Sequence, residues 1–156
     1  MSQKIFLIGL PGAGKTTMGL DLSVHLGIQF VDLDQDIEKA TKRSVSEIFQ
    51  EDGEAHFRQL EKLHLEKVIT ELDAFVMATG GGTPAFFNNL ETMKEAGKIA
   101  FINTPIEIID QRLANDSTRP LMKSNSLLEL YKQRKGWYNQ ANYTIQEYKE
   151  LVNIFS

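Results

Sequence analysis

The residues most suited to chemistry form a glycine-rich stretch near the N-terminus. It reads Gly-Leu-Pro-Gly-Ala-Gly-Lys-Thr from Gly9 to Thr16 and continues into Thr17. The spacing matches G-x-x-x-x-G-K-[ST], in which glycines let several backbone N–H groups turn toward a phosphate. In such a loop the lysine reaches the β- and γ-phosphates, and the threonine hydroxyl ligates Mg²⁺. We therefore expect Lys15 and Thr16 to bind a nucleoside triphosphate with Mg²⁺; the alternative is an ordinary glycine-rich turn.

Two acidic residues, Asp32 and Asp34, follow the second apolar run of the sequence. Side chains two residues apart on a strand point to the same side, at the sheet edge where open α/β sheets bind ligands. One carboxylate can hold the water shell of a metal ion, and the other can accept the proton of an attacking hydroxyl. The alternatives are a pair of solvated loop acids, or Asp34 as the N-cap of the next helix.

A run of three glycines, Gly80–Gly82, ends the third apolar run. Consecutive glycines expose backbone N–H groups and let a ligand approach the main chain closely. A tight strand-to-helix turn is the alternative, although such a turn needs only one or two glycines. We expect this run to line a binding site.

Three arginines are placed where they could bind anions. Arg58 lies in a helical stretch, Arg119 in a polar loop, and Arg134 in the basic run 132–135. Any one of them alone is more typical of a solvated surface residue. Together they offer guanidinium groups for a substrate carboxylate and for the charge of a phosphoryl group in transfer.

These residues must be positioned by alternating strands and helices, a pattern typical of a parallel sheet covered on both faces. We predict strands near 4–8, 28–32, 74–79, 98–103 and 143–145, and helices near 15–26, 34–72 (with breaks at 41–46 and 52–53), 84–96, 105–114, 127–141 and 147–155. Thr104 is the expected N-cap of its helix, and Trp137 and Tyr138 are expected in the core.

The helical insertion after the second strand is longer than one crossover helix requires, so we interpret it as a substrate-binding lobe. The polar, non-periodic stretch that contains Arg119 is a candidate lid.

Length and composition restrict the class of protein. At 156 residues the chain is most simply one domain, and its formal charge of −4 argues against a nucleic-acid partner. It contains no cysteine, which excludes disulfides and thiol chemistry. The N-terminal apolar run is too short for a signal peptide or a membrane span, so we expect a cytoplasmic protein with no membrane partner. We also expect a monomer.

With these residues considered together, the chain resembles the shikimate kinases almost from end to end. The matching motifs are the phosphate loop, Val-Asp-Leu-Asp ending at Asp34, Phe57-Arg58 with Glu61, Gly80–Gly82, Arg119-Pro120-Leu121, and Arg134 ahead of Tyr138 and Ala141. The resemblance implies ATP-dependent phosphorylation of the 3-hydroxyl of shikimate, a step in aromatic amino-acid biosynthesis. It also implies the three-layer αβα fold of phosphate-loop kinases, which are related to nucleoside monophosphate kinases. That fold has a five-stranded parallel sheet, a substrate lobe at about 33–62 and a short lid at about 114–126.

The resemblance assigns the nucleotide side of the site. Lys15 and the loop around it are expected to bind the ATP phosphates. Thr16 is expected to ligate Mg²⁺ directly, and Asp32 is expected to bind it through water. Arg119 on the lid is expected to contact the phosphates and to take part in catalysis with Lys15, and Arg112 to flank the adenine. The full set of expected nucleotide-binding residues is Gly12, Ala13, Gly14, Lys15, Thr16, Thr17, Arg112 and Arg119.

The resemblance also assigns the acceptor side. Asp34 is expected to hold the shikimate hydroxyls and to act as the base. Arg58 and Arg134 are expected to bind the shikimate carboxylate, while the backbone of Gly80–Gly82 lines the ring. In one respect the chain departs from the family pattern: the usual loop between Ile145 and the last helix, which touches adenine, is reduced here. That adenine contact is left unassigned.

Other functions are compatible with a phosphate loop. A kinase for gluconate or for a nucleoside monophosphate is one alternative, although paired arginines suit a carboxylate acceptor. A GTPase-type switch would require Asn-Lys-x-Asp after the fourth strand, where this chain reads Asn103-Thr104-Pro105-Ile106. The sequence therefore favours a small-molecule kinase.

Overall fold

The structure, a computed structural model, describes residues 3–114 and 124–156. Its elements in chain order are β1 (Lys4–Ile8), α1 (Lys15–Leu26), β2 (Gln29–Asp32), α2 (Leu33–Thr41), α3 (Val45–Asp52), α4 (Glu54–Glu71), β3 (Phe75–Ala78), a short 3₁₀-helix (Thr83–Ala85), α5 (Asn89–Ala96), β4 (Lys98–Ile102), α6 (Ile106–Ala114), α7 (Ser124–Tyr138), β5 (Tyr143–Ile145) and α8 (Tyr148–Phe155).

The five strands form one parallel sheet in the order β2-β3-β1-β4-β5. Every residue of β3 is buried, as are Ile5 to Ile8 of β1. Successive side chains of a strand point to opposite faces, so strands buried along their length have both faces of the sheet covered. The expected three-layer α/β fold with a five-stranded parallel sheet is confirmed.

The strand register brings the predicted motifs to one edge of the sheet. Ala78 at the end of β3 pairs with Leu7 of β1 on one side and with Asp32 of β2 on the other. The phosphate loop, the acidic pair and the glycine run each follow these strand ends directly. All three therefore lie at the carboxyl edge, where parallel sheets bind ligands.

Helices α2, α3 and α4 form the helical insertion between β2 and β3, and they pack on one another. Ser44 begins α3 with a capping box: its hydroxyl accepts from the N–H of Glu47, and the Glu47 carboxylate accepts from the N–H of Ser44. Gly53, with a φ of 87°, separates α3 from α4. Both predicted breaks in this helical stretch are confirmed.

The expectation that Asp32 and Asp34 point to the same side as on one strand is wrong, and the helix begins one residue earlier than the predicted 34. Strand β2 ends at Asp32 and α2 begins at Leu33, so Asp34 lies in the first helical turn. The Asp32 carboxylate accepts a hydrogen bond from the N–H of Gln35 at 3.1 Å and so caps the helix. Because that cap satisfies an N–H group at the helix start, it favours a helix directly after the strand. The capping role considered for Asp34 therefore belongs to Asp32.

The helix predicted to begin at Pro84 begins at Asn89 instead. Pro84 lies in the 3₁₀-helix, after which Phe86 is extended and Phe87 takes a positive φ of 50°. These two residues break the helical path, and the Asn89 side chain donates back to the Thr83 carbonyl at 3.0 Å. The sequence carries no glycine here that would have indicated the interruption.

Further along the chain, three smaller predictions also fail. Helix α7 starts three residues before the predicted 127 and ends at Tyr138 rather than at 141. The Thr104 hydroxyl donates to the Ala13 carbonyl, and the helix after it begins at Ile106. Trp137 is 37% exposed, whereas Tyr138 is fully buried as expected.

Within residues 3–114 and 124–156, no helix has the length and apolarity needed to span a bilayer.

Candidate active site

The phosphate loop joins β1 to α1 and contains glycines in backbone conformations that would be strained for any other residue. Gly12 and Gly14 have φ values of 82° and 105°, in the left-handed region that other residues rarely adopt. Helix α1 begins at Lys15, and among the described residues no side chain caps its first turn. The N–H groups of that turn and the helix dipole therefore suit an anion.

Lys15 lies within this loop. Its side chain is buried, and its ammonium group donates to the carbonyls of Gly9 and Leu10. The charge is thus held inside the curve of the loop, beside the N-terminus of α1. Ala13 and the exposed Thr17 complete the stretch predicted to bind phosphates.

Thr16 and Asp32 meet at the mouth of the loop. The Thr16 hydroxyl donates to the Asp32 carboxylate at 2.9 Å, and both side chains are accessible to solvent. The described residues contain no cluster of three or more His, Cys, Asp or Glu side chains able to hold a metal. A hydroxyl and a carboxylate suit Mg²⁺, which keeps several waters and takes phosphate oxygens as further ligands. The donor set present here therefore fits that ion.

Among the carboxyl groups of the described residues, Asp34 has the most altered pKa. Burial, followed by the negative charges of Glu61 and Asp32, raises the pKa of Asp34 from 3.8 to about 6, although the positive charge of Lys15 opposes the shift. A carboxylate with a pKa near neutrality is a better proton acceptor than an ordinary aspartate. Asp34 therefore has the electrostatic surroundings of a general base.

The glycine run is the place where the other predicted residues meet. A Cβ added to Gly80 would lie 3.1 Å from Oδ1 of Asp34. A Cβ on Gly81 would lie 3.0 Å from Nη1 of Arg134 and 2.9 Å from the ring of Pro11 in the phosphate loop. On Gly82, a Cβ would lie 2.7 Å from Nη2 of Arg58. The structure thus brings together the acid, two arginines and the phosphate loop around three residues without side chains.

Arg58 is buried and held on several sides. Its Nε and Nη2 donate to Glu54 at 3.3 and 3.1 Å, and its Nη1 donates to Glu61 at 3.0 Å. The Cζ atom lies 4.0 Å from the ring centroid of Phe86 and 5.3 Å from that of Phe57. A guanidinium fixed in this way can bind a planar anion with little loss of entropy.

Glu61 connects Arg58 to the glycine run. Its carboxylate is fully buried, and Oε2 accepts from the Thr83 hydroxyl at 2.7 Å. The same hydroxyl accepts from the N–H of Gly80 at 2.9 Å. The expectation that the whole run presents its N–H groups to a ligand is therefore wrong for Gly80, because Thr83 already binds that group.

Tyr138 contacts both Arg134 and the backbone of the glycine run. Its hydroxyl donates to the Gly81 carbonyl at 2.8 Å, and its ring stacks on Phe101 with centroids 4.8 Å apart. Burial raises the pKa of the Tyr138 hydroxyl, while the neighbouring Arg134 lowers it. The tyrosine therefore orders both an arginine and the backbone that the arginine faces.

The remaining predicted residues lie on the nucleotide side. Arg112 on α6 donates to the Gly12 carbonyl at 3.0 Å, which ties it to the phosphate loop. Arg119 and most of the predicted lid fall outside the described residues. Strand β5 and α8 are separated by Gln146 and Glu147 alone, so the reduced connection expected from the sequence is confirmed.

Several residues that hold the site together had no predicted part in it. Glu61 was recognisable, because it lies three residues after Arg58 on one helix face. The bonds from Thr83, Thr104 and Tyr138 join residues 22 to 91 positions apart, and no local pattern indicates them. The stacking of Phe86 on Arg58 also depends on tertiary packing.

Comparison with known proteins identifies the family. The family model for shikimate kinase matches residues 11–155. The chain belongs to the shikimate kinase family. It is 41% identical to the shikimate kinase of Persephonella marina, over 92% of this chain and 88% of that protein. It is 42% identical to the shikimate kinase of Bacteroides fragilis, with 97% of both chains covered. That alignment runs over 174 positions, so the relative has residues without a counterpart here.

Solved structures of shikimate kinases share the fold. The Acinetobacter baumannii enzyme, in complex with shikimate, has a TM-score of 0.91 at 33% identity, covering 99% of this chain and 93% of that chain. The Bacteroides thetaiotaomicron enzyme has a TM-score of 0.88 at 35% identity, covering 95% and 88%. A gluconokinase from Sinorhizobium meliloti, at 14% identity and a TM-score of 0.58, shares the fold only.

Proposed function

We propose that this protein transfers the γ-phosphoryl group of ATP to the 3-hydroxyl of shikimate, with Mg²⁺, in aromatic amino-acid biosynthesis. The observation that carries the proposal is the glycine run, around which Asp34, Arg58, Arg134 and the phosphate loop lie together. An acid and two guanidinium groups suit an acceptor that carries both a hydroxyl and a carboxylate. Because these groups lie beside the phosphate loop, a bound acceptor would lie next to a transferable phosphoryl group.

The residues on the nucleotide side would position the phosphates of ATP and neutralise their charge. The first-turn N–H groups of α1 bind the phosphates, and Lys15 neutralises charge on the β- and γ-phosphates. Thr16 and Asp32 hold Mg²⁺, Asp32 through water. When bound, the metal offsets the charge that develops on the phosphate oxygens. Arg112 flanks the adenine, and Arg119 contacts the phosphates during transfer.

On the acceptor side, Arg58 would bind the carboxylate of shikimate. Of its five N–H donors, the hydrogen bonds among described residues use three, to Glu54 and Glu61. The two that remain belong to the two terminal nitrogens, Nη1 and Nη2. Each terminal nitrogen therefore keeps one N–H group that can donate to an oxygen of a carboxylate. Arg134 binds the same carboxylate from beside Gly81.

Asp34 would receive the proton of the attacking hydroxyl. Its raised pKa improves its basicity, and Gly80 leaves the space beside its carboxylate open to an acceptor hydroxyl. As the hydroxyl loses its proton to Asp34, its oxygen attacks phosphorus in line with the departing ADP. The chain's own contribution is thus to align the two reactants and remove one proton.

We further propose the arrangement of the whole chain. It is a single phosphate-loop kinase domain, 1–156, with a substrate lobe at about 33–62 and a lid at about 114–126. Closure of the lid would exclude water and suppress hydrolysis of ATP. The protein acts as a cytoplasmic monomer on small molecules, without nucleic-acid or membrane partners.

The test is a coupled assay of ADP release with Mg²⁺ATP, with and without shikimate. We expect ADP release to depend on shikimate, and ³¹P NMR to show a phosphate monoester on the 3-hydroxyl. ADP release that does not respond to shikimate, or that responds to gluconate or a nucleoside monophosphate instead, contradicts the proposal.

Two variants test the assigned roles in the same assay. Asp34→Asn should lower kcat by a factor of about 10² or more, because the base is lost, while ATP binding persists. Arg58→Ala should chiefly raise the KM for shikimate and leave the KM for ATP unchanged. If either variant has wild-type kinetics, its residue does not have the proposed role.

A further inference from the structure

Phe86 is the closest aromatic neighbour of the Arg58 guanidinium. The ring centroid lies 4.0 Å from Cζ, compared with 5.3 Å for Phe57 and 5.8 Å for Phe49. A cation this close to a ring face is attracted by the negative face of the π system, most strongly where water is excluded. Arg58 is only 8% exposed, so this contact lies in a desolvated setting.

Phe86 contacts the Arg58 guanidinium through its ring face, whereas the other close contacts are made by polar groups and backbone. Glu54 and Glu61 bind the guanidinium nitrogens in its plane, and the backbone of Gly82 lies against Nη2. In-plane hydrogen bonds still allow the group to tilt. A ring stacked on the face of the guanidinium opposes that tilt and keeps Nη1 and Nη2 directed toward an acceptor.

The backbone around Phe86 is held in an unusual conformation. The next residue, Phe87, has a φ of 50°, in the left-handed region that bulky residues rarely adopt. Its ring lies 5.5 Å from the ammonium of Lys62, which also donates to Asn88 at 3.2 Å. Lys62 is one helical turn beyond Arg58 on α4, so two successive rings contact two cations on one helix face. Strain of this kind persists where the surroundings impose it.

We propose that Phe86 is a positioning residue, whose stacking on Arg58 orients the guanidinium for the carboxylate of the acceptor. The proposal rests on the proposed function, because it assigns the carboxylate to Arg58. In this proposal Phe86 acts only through the guanidinium. Its removal should therefore weaken acceptor binding and leave phosphoryl transfer from the bound acceptor nearly intact.

The test compares three variants. Phe86→Leu keeps an apolar side chain and removes the ring, Phe86→Tyr keeps the ring, and Phe87→Leu is the matched control one residue away. We expect Phe86→Leu to raise the KM for shikimate about 3- to 30-fold, with kcat within about twofold and the KM for ATP unchanged. The other two variants should stay within about twofold of wild type. Equal effects of Phe86→Leu and Phe86→Tyr, or none in either, would overturn the proposal.

Two further measurements separate positioning from general packing. In an Arg58→Met background, Phe86→Leu should have no additional effect on the KM for shikimate, since the ring acts through the guanidinium. With the carboxamide analogue of shikimate as acceptor, the effect of Phe86→Leu should shrink to within about twofold. An additive double variant, or an equal loss with the carboxamide, would indicate a packing role only.

An NMR readout distinguishes failure of this proposal from failure of the proposed function. The Phe86 ring should shift the Arg58 side-chain N–H resonances upfield in the wild-type protein, whatever reaction it catalyses. The shift should disappear in Phe86→Leu and persist in Phe86→Tyr and Phe87→Leu. If the shift behaves in this way but the wild-type protein does not phosphorylate shikimate, the proposed function fails. If the wild-type protein phosphorylates shikimate and the shift is absent, the positioning role fails.

Discussion

The guanidinium of Arg58 occupies the space that a side chain at Gly82 would need. A Cβ at position 82 would lie 2.7 Å from Nη2 and 2.9 Å from Nη1. Gly82 itself has a φ of −100° and a ψ of −5°, a conformation open to alanine. The requirement for glycine is therefore set by Arg58, which α4 brings to this point, and not by the backbone.

Gly82→Ala should impair acceptor binding for this reason. The methyl group displaces a guanidinium that Glu54, Glu61 and Phe86 hold in place, so we expect a loss of about 1–3 kcal/mol of stability. The KM for shikimate should rise about tenfold or more, because a displacement of the clamp of even 1 Å has a large effect. Gly136→Ala is the matched control, since a Cβ there meets nothing within 4 Å. In helix α7 it should stabilise by up to about 1 kcal/mol. Equal kinetics for the two variants would contradict the prediction.

Asp34→Asn should stabilise the folded protein at neutral pH while it removes activity. Raising the pKa of Asp34 from 3.8 to about 6 costs the folded state up to about 3 kcal/mol above pH 6. The folded state holds the proton more tightly than the unfolded state, so this cost develops as the pH rises from about 4 to 6. Urea denaturation without nucleotide should therefore show a higher free energy of unfolding for Asp34→Asn than for the wild-type protein at pH 7.5, and this difference should disappear near pH 4. A gain that is independent of pH would exclude Asp34 as its source.

Thr83→Val should destabilise the protein more than Thr83→Ser. Valine keeps the shape but leaves the Gly80 N–H and the buried Glu61 carboxylate without the hydroxyl that joins them. Unsatisfied buried groups of this kind cost about 1–3 kcal/mol, and more when charged. Serine keeps both bonds and loses one buried methyl group, at about 1 kcal/mol. Thermal or urea denaturation compares the two directly, and a valine variant as stable as the serine variant would contradict the assignment.

Lys42→Gly should stabilise the C-terminal end of α2. Lys42 is exposed and has a φ of 57°, while its N–H donates to the Glu38 carbonyl at 2.8 Å. Glycine adopts this conformation without the steric cost that other residues incur, so we expect a gain of about 0.5–1 kcal/mol after the entropy of the unfolded chain is included. Lys39→Gly, inside the same helix, should instead lose about 1 kcal/mol. If glycine lowers the free energy of unfolding at both Lys42 and Lys39, the left-handed conformation of Lys42 is not strained.

Local sequence was sufficient where neighbouring residues determine the structure. The bounds of α1, Lys15–Leu26, follow from the phosphate loop before it and from Gly27 after it, whose φ of 69° ends the helix. The caps at Ser44 and Gly53 are equally local. These signals act over three or four residues, so one sequence suffices to find them. The phosphate loop and the parallel α/β architecture were therefore predictable.

Tertiary structure alone decided how the site is assembled. The spacing of Asp32 and Asp34 predicted two carboxylates on the same side, as on a strand, but α2 begins at Leu33, and Asp34 reaches Gly80 from the first turn of that helix. The stacking of Phe86 on Arg58 and the bond from Tyr138 to Gly81 join segments that meet only when the helices pack on the sheet. No periodicity or spacing encodes such contacts, because they depend on side-chain volume and direction across the fold. The sequence by itself determined which groups reach the carboxyl edge of the sheet, and packing determined which of them touch.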